Sequence, residues 1–489
     1  MKEQILGNIF IPSPFRILMT KNKFYITTAI DYVNAAPHIG HAFEKVIADV
    51  LARWHRLLNK DVFFLTGTDE NAQKNAQAAK EKKVKTEDFV DKNSKLFKEL
   101  CKSLNISYDR FIRTTEKEHV IKSQELFKIA YDHGDIYKGK YEGYYCDGCE
   151  AFKTEKELTN GLCSEHNKKP RWTSEETYFF RMSKYKEQII EFIQTYIVPE
   201  KRKNEILSRL REEELKDLSV TRSNIEWGIE CPIDDKQKIY VWFDALINYI
   251  SGSSGYWPAD VHVIGKDINW FHSVIWPAML FSTKQPLPKK LLVHGFLNLG
   301  GMKISKSLGN TIDPLELISK YGVDSLRYSL SRCSVFEDSD FSEEILKERH
   351  NNELGNKLGN LVSRVSALAE KYGLEKTEIK HLDSQKTLKN TSHFLENYEL
   401  DKAIAEIFSF IDKINEFIQK EKPWETKNKE VLYELSNAIK DSAILLSPFI
   451  PETADKISKI FNFEISLKSI NSPLKISKIA KADILFKRI

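Results

Sequence analysis

The sequence is poor in cysteine and has no long apolar run. Six cysteines occur in 489 residues, and three of them, Cys146, Cys149 and Cys163, lie close together. This distribution favours reduced thiols and a metal site over a disulfide framework. No apolar run reaches the ~20 residues that a bilayer-spanning helix needs, which excludes a helical membrane protein. We therefore predict a cytoplasmic protein.

The chain also lacks a strong excess of one charge. Lysine and arginine exceed aspartate and glutamate by only four, so nucleic acid could be bound only by a local basic patch. Residues 1–18 make a poor signal peptide, because Pro12 and Pro14 interrupt their apolar stretch. Met19 is an alternative start, and we treat residues 1–18 as an N-terminal extension.

The first two thirds of the chain alternate short apolar runs with helical patterns. This alternation predicts an α/β fold with a doubly wound parallel sheet of the Rossmann type. The predicted strands cover residues 24–30, 62–65, 261–264 and 291–293. Ligands bind beyond the carboxyl ends of such strands. The residues found there are polar or reactive, in the segments 30–32, 66–70, 265–267 and 294–295.

A short motif, residues 37–41, connects the first predicted strand to a long amphipathic helix. His38, Gly40 and His41 therefore lie at a helix N-terminus, where backbone N–H groups and the helix dipole favour phosphate. Gly40 would let a ligand approach the backbone, and the histidines can donate hydrogen bonds to phosphate oxygens. Taken alone, the motif fits equally well a helix start with two surface histidines.

A second motif contains Lys303, Ser305 and Lys306 and follows the pair Gly300 and Gly301. Two lysines in a glycine-flanked loop suit a mobile cover over a polyphosphate. The two motifs resemble the HIGH and KMSKS signatures of class I aminoacyl-tRNA synthetases. Position 304 holds isoleucine where that family most often has methionine, which is a minor departure because this side chain packs.

Residues 118–231 lie between the two motifs and are predicted to be an insertion. They hold Cys146 and Cys149, and then Cys163 and His166 after thirteen intervening residues. Four soft ligands at this spacing suit one tetrahedral zinc ion in a closed, structural site. Three incidental cysteines are the alternative.

From about residue 335 the apolar spacing is helical throughout, which predicts an all-α bundle. The domains are expected to be an extension at 1–18, the sheet domain at 19–117 and 232–334, the insertion at 118–231 with its knuckle at 146–166, and the helical domain at 335–489. Two later lysine–serine segments, 456–459 and 475–478, lack the flanking glycines, so we interpret them as ordinary surface residues.

Four further segments resemble the methionyl-tRNA synthetase family. They are residues 29–32, 66–70, 240–245 and 265–272, and the resemblance runs from about residue 23 to the C-terminus. The single knuckle is similar to that of the shorter bacterial members. The chain also ends without the additional C-terminal tRNA-binding domain that many relatives carry.

The resemblance implies a ligase that activates L-methionine with ATP and Mg²⁺, releases pyrophosphate and transfers methionine to initiator and elongator methionine tRNA. His38, His41, Lys303 and Lys306 would be catalytic, stabilising charge on the phosphates. Further ATP contacts are expected from Gly40, Lys266, His294, Gly295 and Ser305. We expect a monomer.

The methionine pocket should be largely aromatic, because a thioether favours contact with rings. Asp69 can bind the substrate ammonium, and Tyr32 and His272 can offer a hydrogen bond to sulphur. The expected pocket residues are Ile30, Tyr32, Asp69, Trp242, Ala245, Ile268, Phe271, His272 and Trp276. For each aromatic residue alone, core packing is the favoured interpretation, and only the whole set at the strand ends favours a pocket.

In the helical part, two segments resemble the family's reader of the CAU anticodon. They contain Asn360 and Arg364, and then Pro423 and Trp424. A tryptophan can stack on a splayed base while asparagine and arginine bind its edge. Core packing of Trp424 is the alternative.

Other functions remain open at this point. Class I synthetases for isoleucine, valine or leucine normally carry a larger editing insertion, and a cysteine enzyme is expected to place zinc in its amino-acid pocket. A small nucleotidyltransferase would not need the helical third of the chain. A catalytically dead paralogue is disfavoured by the intact set of His38, His41, Lys303 and Lys306.

Overall fold

A computed structural model describes residues 22–146, 151–153, 158–164, 167–223, 225–303, 311–470, 472–475 and 479–489. Its centre is a seven-stranded sheet in which every strand pairing is parallel. In spatial order the main strands are Ile197–Val198, Lys290–His294, Val261–Gly265, Lys23–Thr28, Asp61–Asp69 and Arg110–Arg113. The two-residue strand Asp31–Tyr32 pairs with Thr68 and Asp69.

The strand Lys23–Thr28 lies between neighbours from the two halves of the chain. Its residues after Lys23 are buried, as expected for a strand covered on both faces. Strand Asp61–Asp69 follows it on one side, whereas Val261–Gly265 lies on the other side. The strand order therefore changes direction at Lys23–Thr28. In a doubly wound sheet, such a switch point leaves a crevice at the carboxyl ends of the strands.

Helices connect and cover these strands. The longest helix of this part, Ile39–Leu57, has a buried apolar face and packs in the main core with Phe24 and Phe64. The other helices of the sheet domain and insertion are Gln73–Glu81, Thr86–Ser103, Lys117–Asp132, Lys186–Tyr196, Glu200–Glu212, Val241–Ala245, Asn248–Ser251, Trp276–Ser282, Pro314–Tyr321 and Val323–Ser331. Short 3-10 turns cover Met182–Tyr185 and Lys266–Ile268, and a π-helical turn covers Phe271–Ile275.

The insertion contributes an antiparallel sheet. Its two long strands, Ile136–Cys146 and Arg171–Phe180, pair along ten residues. Ala151–Lys153 and Leu218–Ser219 complete this sheet at its edges. The remaining short strands are Leu158–Thr159 with Leu162–Cys163, Thr221–Ser223 with Gln237–Ile239, and Leu297–Leu299 with Met302–Lys303 and Ser339–Asp340.

The C-terminal third is helical, as its periodicity predicts. Helix Leu400–Glu421 buries Ile404, Ile407, Ile411 and Ile414, which share one face at spacings of three and four. The other elements are Glu343–Arg349, the π-helix His350–Gly359, Asn360–Tyr372, Gln385–Glu396, Pro423–Thr426, Lys429–Leu446, Pro451–Phe461 and the 3-10 turn Leu467–Ser469. Among the described residues, none of the helices is both long and apolar enough to cross a membrane.

A buried arginine joins this helical part to the sheet domain. The Arg327 guanidinium is 2.7 Å from Asp49 on helix Ile39–Leu57, and both side chains are fully buried. It also donates hydrogen bonds to the backbone carbonyls of Leu104, Pro448 and Phe449. One side chain therefore connects three separate segments of the chain.

The predicted fold class, a doubly wound parallel sheet followed by an all-α domain, is confirmed. Two details differ. The second strand continues through Asp69, so residues 66–69 belong to the sheet instead of following it. Ile197–Val198, inside the predicted insertion, forms the edge of the central sheet, because a two-residue strand is too short to give a recognisable pattern.

Candidate active site

The two histidines of the first motif cap the helix that they precede. His38 is the N-cap residue of Ile39–Leu57, and the Gly40 backbone N–H donates to His38 Nδ1 at 3.1 Å. The His38 N–H donates to His41 Nδ1 at 3.0 Å. Because both Nδ1 atoms accept, the neutral rings carry their proton on Nε2. A Cβ at Gly40 would come within 3.0 Å of the His38 ring, so glycine is what allows this ring to fold back.

The chain that follows the second motif lies beside the first motif. The Ile39 backbone N–H donates to the Ile312 carbonyl at 3.1 Å, which joins the helix start to the chain just after the lysine loop. Before that loop, Gly300 and Gly301 both have positive φ and turn Leu297–Leu299 into Met302–Lys303. Only glycine adopts this conformation readily. Ser305 and Lys306 lie outside the described residues.

Lys266 lies beyond the end of strand Val261–Gly265, as predicted. Its ammonium contacts both oxygens of Asp338 at 2.6 and 2.7 Å and lies 4.4 Å from the centre of the Phe296 ring. Burial raises the pKa of Asp338, but Lys266 and the Phe296 N–H outweigh burial and lower it. Lys266 is thus held beside the hairpin that leads to the lysine loop.

His294 and Gly295 also lie where the sheet ends, and both make bonds inside the protein. His294 Nδ1 is 2.7 Å from the Gly295 carbonyl, and its Nε2 is 3.3 Å from Glu44. The Gly295 N–H donates to the Val335 carbonyl. A Cβ at Gly295 would be 2.5 Å from the backbone of Glu337, so this glycine is required for close packing.

Sequence reasoning missed a buried charged group under this crevice. Lys45, on the second turn of helix Ile39–Leu57, is 1% exposed and contacts Asp31 at 2.9 Å and Glu44 at 3.1 Å. Burial lowers the pKa of Lys45, but the two carboxylates outweigh burial and raise it above its usual value. Helical spacing alone could have flagged Lys45, since it falls on the apolar face of the helix.

Three predicted pocket aromatics pack together. The Trp242 and Phe271 rings stack with centroids 3.7 Å apart, and the Tyr32 ring meets Trp242 edge-on at 6.1 Å. The Lys74 ammonium lies 3.0 Å from the centre of the Tyr32 ring. These contacts form one aromatic wall at the carboxyl ends of the strands.

His272 lies in the same region, but both of its ring nitrogens bond to protein groups. Its Nδ1 is 3.0 Å from the Ile268 carbonyl and its Nε2 is 2.7 Å from the Tyr249 hydroxyl. Burial lowers the pKa of His272 to about 4, so the ring is neutral. Neutral His272 therefore donates from Nδ1 and accepts the Tyr249 proton at Nε2. Tyr249, which sequence reasoning missed, sits beside the pocket.

The remaining pocket candidates are placed around this wall. Asp69 ends its strand and is 2% exposed, while Ala245 ends the short helix that carries Trp242. Trp276 is fully buried and contacts Tyr249 at 5.9 Å between ring centres. Ile30 and Ile268 are partly buried and pack against the same core.

The anticodon candidates lie in the helical domain. Asn360 and Arg364 are exposed and four residues apart on helix Asn360–Tyr372, so they share one face. Pro423 is buried, whereas Trp424 is half-buried, packs against the core, and has its Nε1 3.3 Å from Glu425. Trp424 is therefore neither fully exposed nor a core residue.

Two of the four predicted zinc ligands are described, and both begin or end tight hairpins. Cys146 pairs with Ala151 across one hairpin, and Cys163 pairs with Leu158 across another, which turns at Asn160 and Gly161. Both cysteines are buried. Cys149 and His166 lie outside the described residues, within which no group of three metal-ligating side chains occurs. Two buried cysteines, each in the last residue pair of a strand pairing, fit the spacing of a zinc knuckle.

A groove of about 1190 Å³ between helix Gln73–Glu81 and the insertion was also missed. Its lining includes Lys74, Lys80, Lys83, Lys85, Arg171, Tyr145 and Trp227. Beside it, Trp172 is 62% exposed and meets Tyr144 edge-on. Cations interleaved with aromatic rings are suited to single-stranded nucleic acid. The groove could not be inferred because its walls are far apart in sequence.

A histidine-capped helix beside a glycine-turned lysine hairpin, at the open edge of a parallel sheet, is the arrangement of class I aminoacyl-tRNA synthetases. A family model described as tRNA synthetases class I (M) matches residues 24–164 and 153–366. A second, described as the anticodon-binding domain of tRNA ligase, matches residues 383–484.

Curated relatives and solved structures narrow the family. The methionine–tRNA ligase of Clostridium tetani is 40% identical over 96% of this chain and 79% of that protein. The methionine–tRNA ligase of Rickettsia felis is 42% identical, and the match covers 89% of this chain and 91% of that protein. Mycobacterium tuberculosis methionyl-tRNA synthetase bound by methionyl-adenylate is similar with TM-score 0.91 at 35% identity, covering 95% of this chain and 100% of that one. The free form of the Mycobacterium tuberculosis enzyme is similar with TM-score 0.84 at 32% identity, and the match covers 96% of this chain and 98% of that one. The chain belongs to the methionyl-tRNA synthetase family.

Proposed function

We propose that His38, His41, Lys303 and Lys306 form the ATP-activating centre of this methionine–tRNA ligase. The enzyme joins L-methionine to the α-phosphate of ATP, releases pyrophosphate, and passes the methionyl group to the 3′ end of methionine tRNA. The hydrogen bond between Ile39 and Ile312 supports the assignment most strongly, because it joins the start of the histidine-capped helix to the chain that follows the lysine loop.

The two imidazoles contribute donors, not a base. With Nδ1 of each ring accepting a backbone N–H, the Nε2 protons are oriented by the helix cap and can donate to phosphate oxygens. The methionine carboxylate oxygen attacks the α-phosphorus, and the bond to the bridging oxygen of pyrophosphate breaks. Lys303 and Lys306 stabilise the negative charge that accumulates on the leaving group. No covalent enzyme intermediate is needed.

For the amino acid, we assign the ammonium to Asp69 and the side chain to the wall of Tyr32, Trp242 and Phe271. The stacked rings offer faces to a polarizable thioether. His272 donates to the Ile268 carbonyl and accepts the Tyr249 proton, so we assign this pair to the shape of the pocket and not to a hydrogen bond with sulphur. Ile30, Ala245, Ile268 and Trp276 complete the lining.

On the nucleotide side, we assign Lys266 and Ser305 to the phosphates and His294 to the crevice that receives adenine. Gly295 serves this site through packing, because both of its backbone groups are used within the protein. Enzymes of this class use ATP with Mg²⁺, which supplies positive charge to the leaving pyrophosphate.

The insertion is proposed to hold one structural zinc ion through Cys146, Cys149, Cys163 and His166. The two described cysteines are buried, and each lies in the last residue pair of an antiparallel strand pairing. Zinc would fix the fold of a segment that has few apolar residues of its own.

For tRNA, we assign the CAU anticodon to Asn360, Arg364, Pro423 and Trp424. The exposed pair on one helix face can bind base edges, and the half-buried Trp424 presents part of its ring for stacking.

We further propose that the protein is a monomer in the cytoplasm, with the domain limits predicted from the sequence.

The test is ATP–pyrophosphate exchange measured with each of the twenty standard amino acids. We expect strong exchange with methionine alone. Strong exchange with isoleucine, valine or cysteine instead would overturn the pocket assignment.

A further inference from the structure

A buried polar cluster lies directly behind the aromatic wall. Asp244, fully buried, is 3.4 Å from His119 Nε2 and accepts a hydrogen bond from Asn71 at 3.2 Å. His119 Nδ1 is 2.8 Å from the Ser251 hydroxyl, and Ser123 lies 3.2 Å from Nε2. None of these residues belongs to the site proposed above.

One arrangement of protons satisfies the chain of contacts without any charge. The Asn71 amide donates to one oxygen of Asp244, and the other oxygen carries a proton that it donates to His119 Nε2. His119 Nδ1–H then donates to Ser251, whose hydroxyl donates to the Asn248 carbonyl at 3.4 Å. A charge-assisted bond between aspartate and imidazolium would be shorter than the observed 3.4 Å, at about 2.7–2.9 Å.

The cluster joins three segments that the pocket depends on. Asp244 lies between Trp242 and Ala245 on the helix Val241–Ala245. Asn71 lies two residues after Asp69, and also donates to the Thr114 carbonyl. His119 belongs to helix Lys117–Asp132, at the start of the insertion. The cluster therefore sets the distance between the aromatic wall and the carboxylate assigned to the substrate ammonium.

We propose that Asp244 is a positioning residue for methionine and that it performs this role as a neutral carboxylic acid. The inference rests on the proposed function, since it assumes that Trp242 and Asp69 contact the amino acid. A neutral acid donates to His119 Nε2 and accepts from Asn71. An ionised aspartate could accept from both residues, but its charge would then be fully buried against a neutral imidazole and an amide.

The titration of both groups agrees with this state. Burial raises the pKa of Asp244 well above its usual value, and it lowers the pKa of His119 to about 4. Among described residues, His119 is the titratable group that contacts Asp244. Glu116 raises the pKa of His119, whereas Arg110 lowers it.

The test compares D244N with D244A in the full-length protein. Asparagine reproduces the donor and acceptor of a neutral acid, so we expect D244N to keep the KM for methionine within about threefold of the parent. D244A leaves His119 and Asn71 without their partner and should raise that KM about tenfold or more. The KM for ATP should change little in either variant, which separates positioning from general damage.

Each alternative gives a different pattern. Equal damage in D244N and D244A would show that Asp244 is ionised, and normal methionine binding by D244A would show that it positions nothing. If D244A does not fold, S251A serves instead, because it removes the acceptor of His119 at the far end of the cluster. A smaller rise in the KM for methionine is then expected, and no rise contradicts the proposal. If the parent shows no methionine-dependent exchange, the proposed function fails independently.

A second measurement does not involve activity. If Asp244 stays protonated in the folded protein, it loses its proton only on unfolding. Ionisation then stabilises the unfolded chain as pH rises above about 4, so the free energy of unfolding of the parent decreases. D244N has no such cost, so its melting temperature relative to the parent should increase between pH 4.5 and 7.5. A difference that does not change with pH would contradict the neutral state.

Discussion

The proposed catalytic crevice and the proposed anticodon surface are built in opposite ways. In the crevice, the candidate side chains bond to one another or to the backbone, as His38 with His41 and His272 with Tyr249 do. On the helical domain, Asn360 and Arg364 stand exposed on one helix face. The side chains of the first site are fixed by their neighbours, whereas Asn360 and Arg364 of the second site can change without disturbing the core.

The difference follows from the task of each site. Charge stabilisation during phosphoryl chemistry needs donors whose orientation is fixed before the substrate arrives. Reading a base needs side chains that adapt to a partner brought by a flexible RNA loop. Substitutions in the crevice should therefore affect chemistry strongly, whereas those on the helical surface should affect only the tRNA step.

The largest effect is expected for Lys306→Ala. We propose that Lys306 stabilises the charge on the leaving pyrophosphate, so its removal should lower the rate of methionyl-adenylate formation by about 10²–10³-fold, while methionine binding persists. Single-turnover adenylate formation and equilibrium binding of methionine would measure the two quantities.

Lys459→Ala is the matched control for this lysine. Lys459 belongs to a similar lysine–serine segment, but it lies on helix Pro451–Phe461 and pairs with Asp455 at 2.6 Å. The Lys459→Ala variant should retain full activity. Equal loss of methionine binding in Lys306→Ala would mean that the loop only supports the structure.

An intermediate effect is expected for Trp424→Ala. Base–aromatic stacking contributes ~1–3 kcal/mol, so aminoacylation of methionine tRNA should fall roughly ten- to hundredfold, while pyrophosphate exchange is unchanged. Trp424→Phe keeps a stacking face and should retain most of the aminoacylation. If Trp424→Ala loses both activities together or unfolds, the ring is part of the core and the two sites are not separable in this way.

The smallest effect on chemistry is expected from removing zinc. The insertion interrupts the sheet domain in sequence, and its knuckle would replace an apolar core by metal–ligand bonds. Elemental analysis should find one zinc ion per chain, and Cys146→Ser with Cys163→Ser should abolish it and lower the melting temperature. Pyrophosphate exchange should fall less than in Lys306→Ala. A fully active protein without metal would exclude the site.

Local pattern was sufficient to predict the sheet, the helical domain and the family, and all three are confirmed. The alternation of apolar runs and helices located four of the strands, since each run is bounded by polar residues. The motif at residues 37–41 was placed at a helix start because apolar spacing follows it, and His38 does cap that helix.

Contacts between distant residues could not be predicted. Asp244 and His119 are 125 positions apart, and only the folded chain brings them together. Tyr249 looked like any core tyrosine until His272 was found against its hydroxyl. Gly295 is predicted from the sequence to contact ATP, yet the backbone at Glu337 also requires that residue 295 has no side chain, which no sequence pattern indicates.

The arginine at the junction has a consequence for how this protein can diverge. Arg327 reaches the helical domain through the carbonyls of Pro448 and Phe449, which every amino acid possesses. The side chains of that turn can therefore vary freely as long as the backbone keeps its course. Asp49 has no such freedom, because its carboxylate neutralises the buried guanidinium. A helical domain taken from a relative would need only the same backbone course at this turn, whereas the sheet domain that receives it must keep both Arg327 and Asp49.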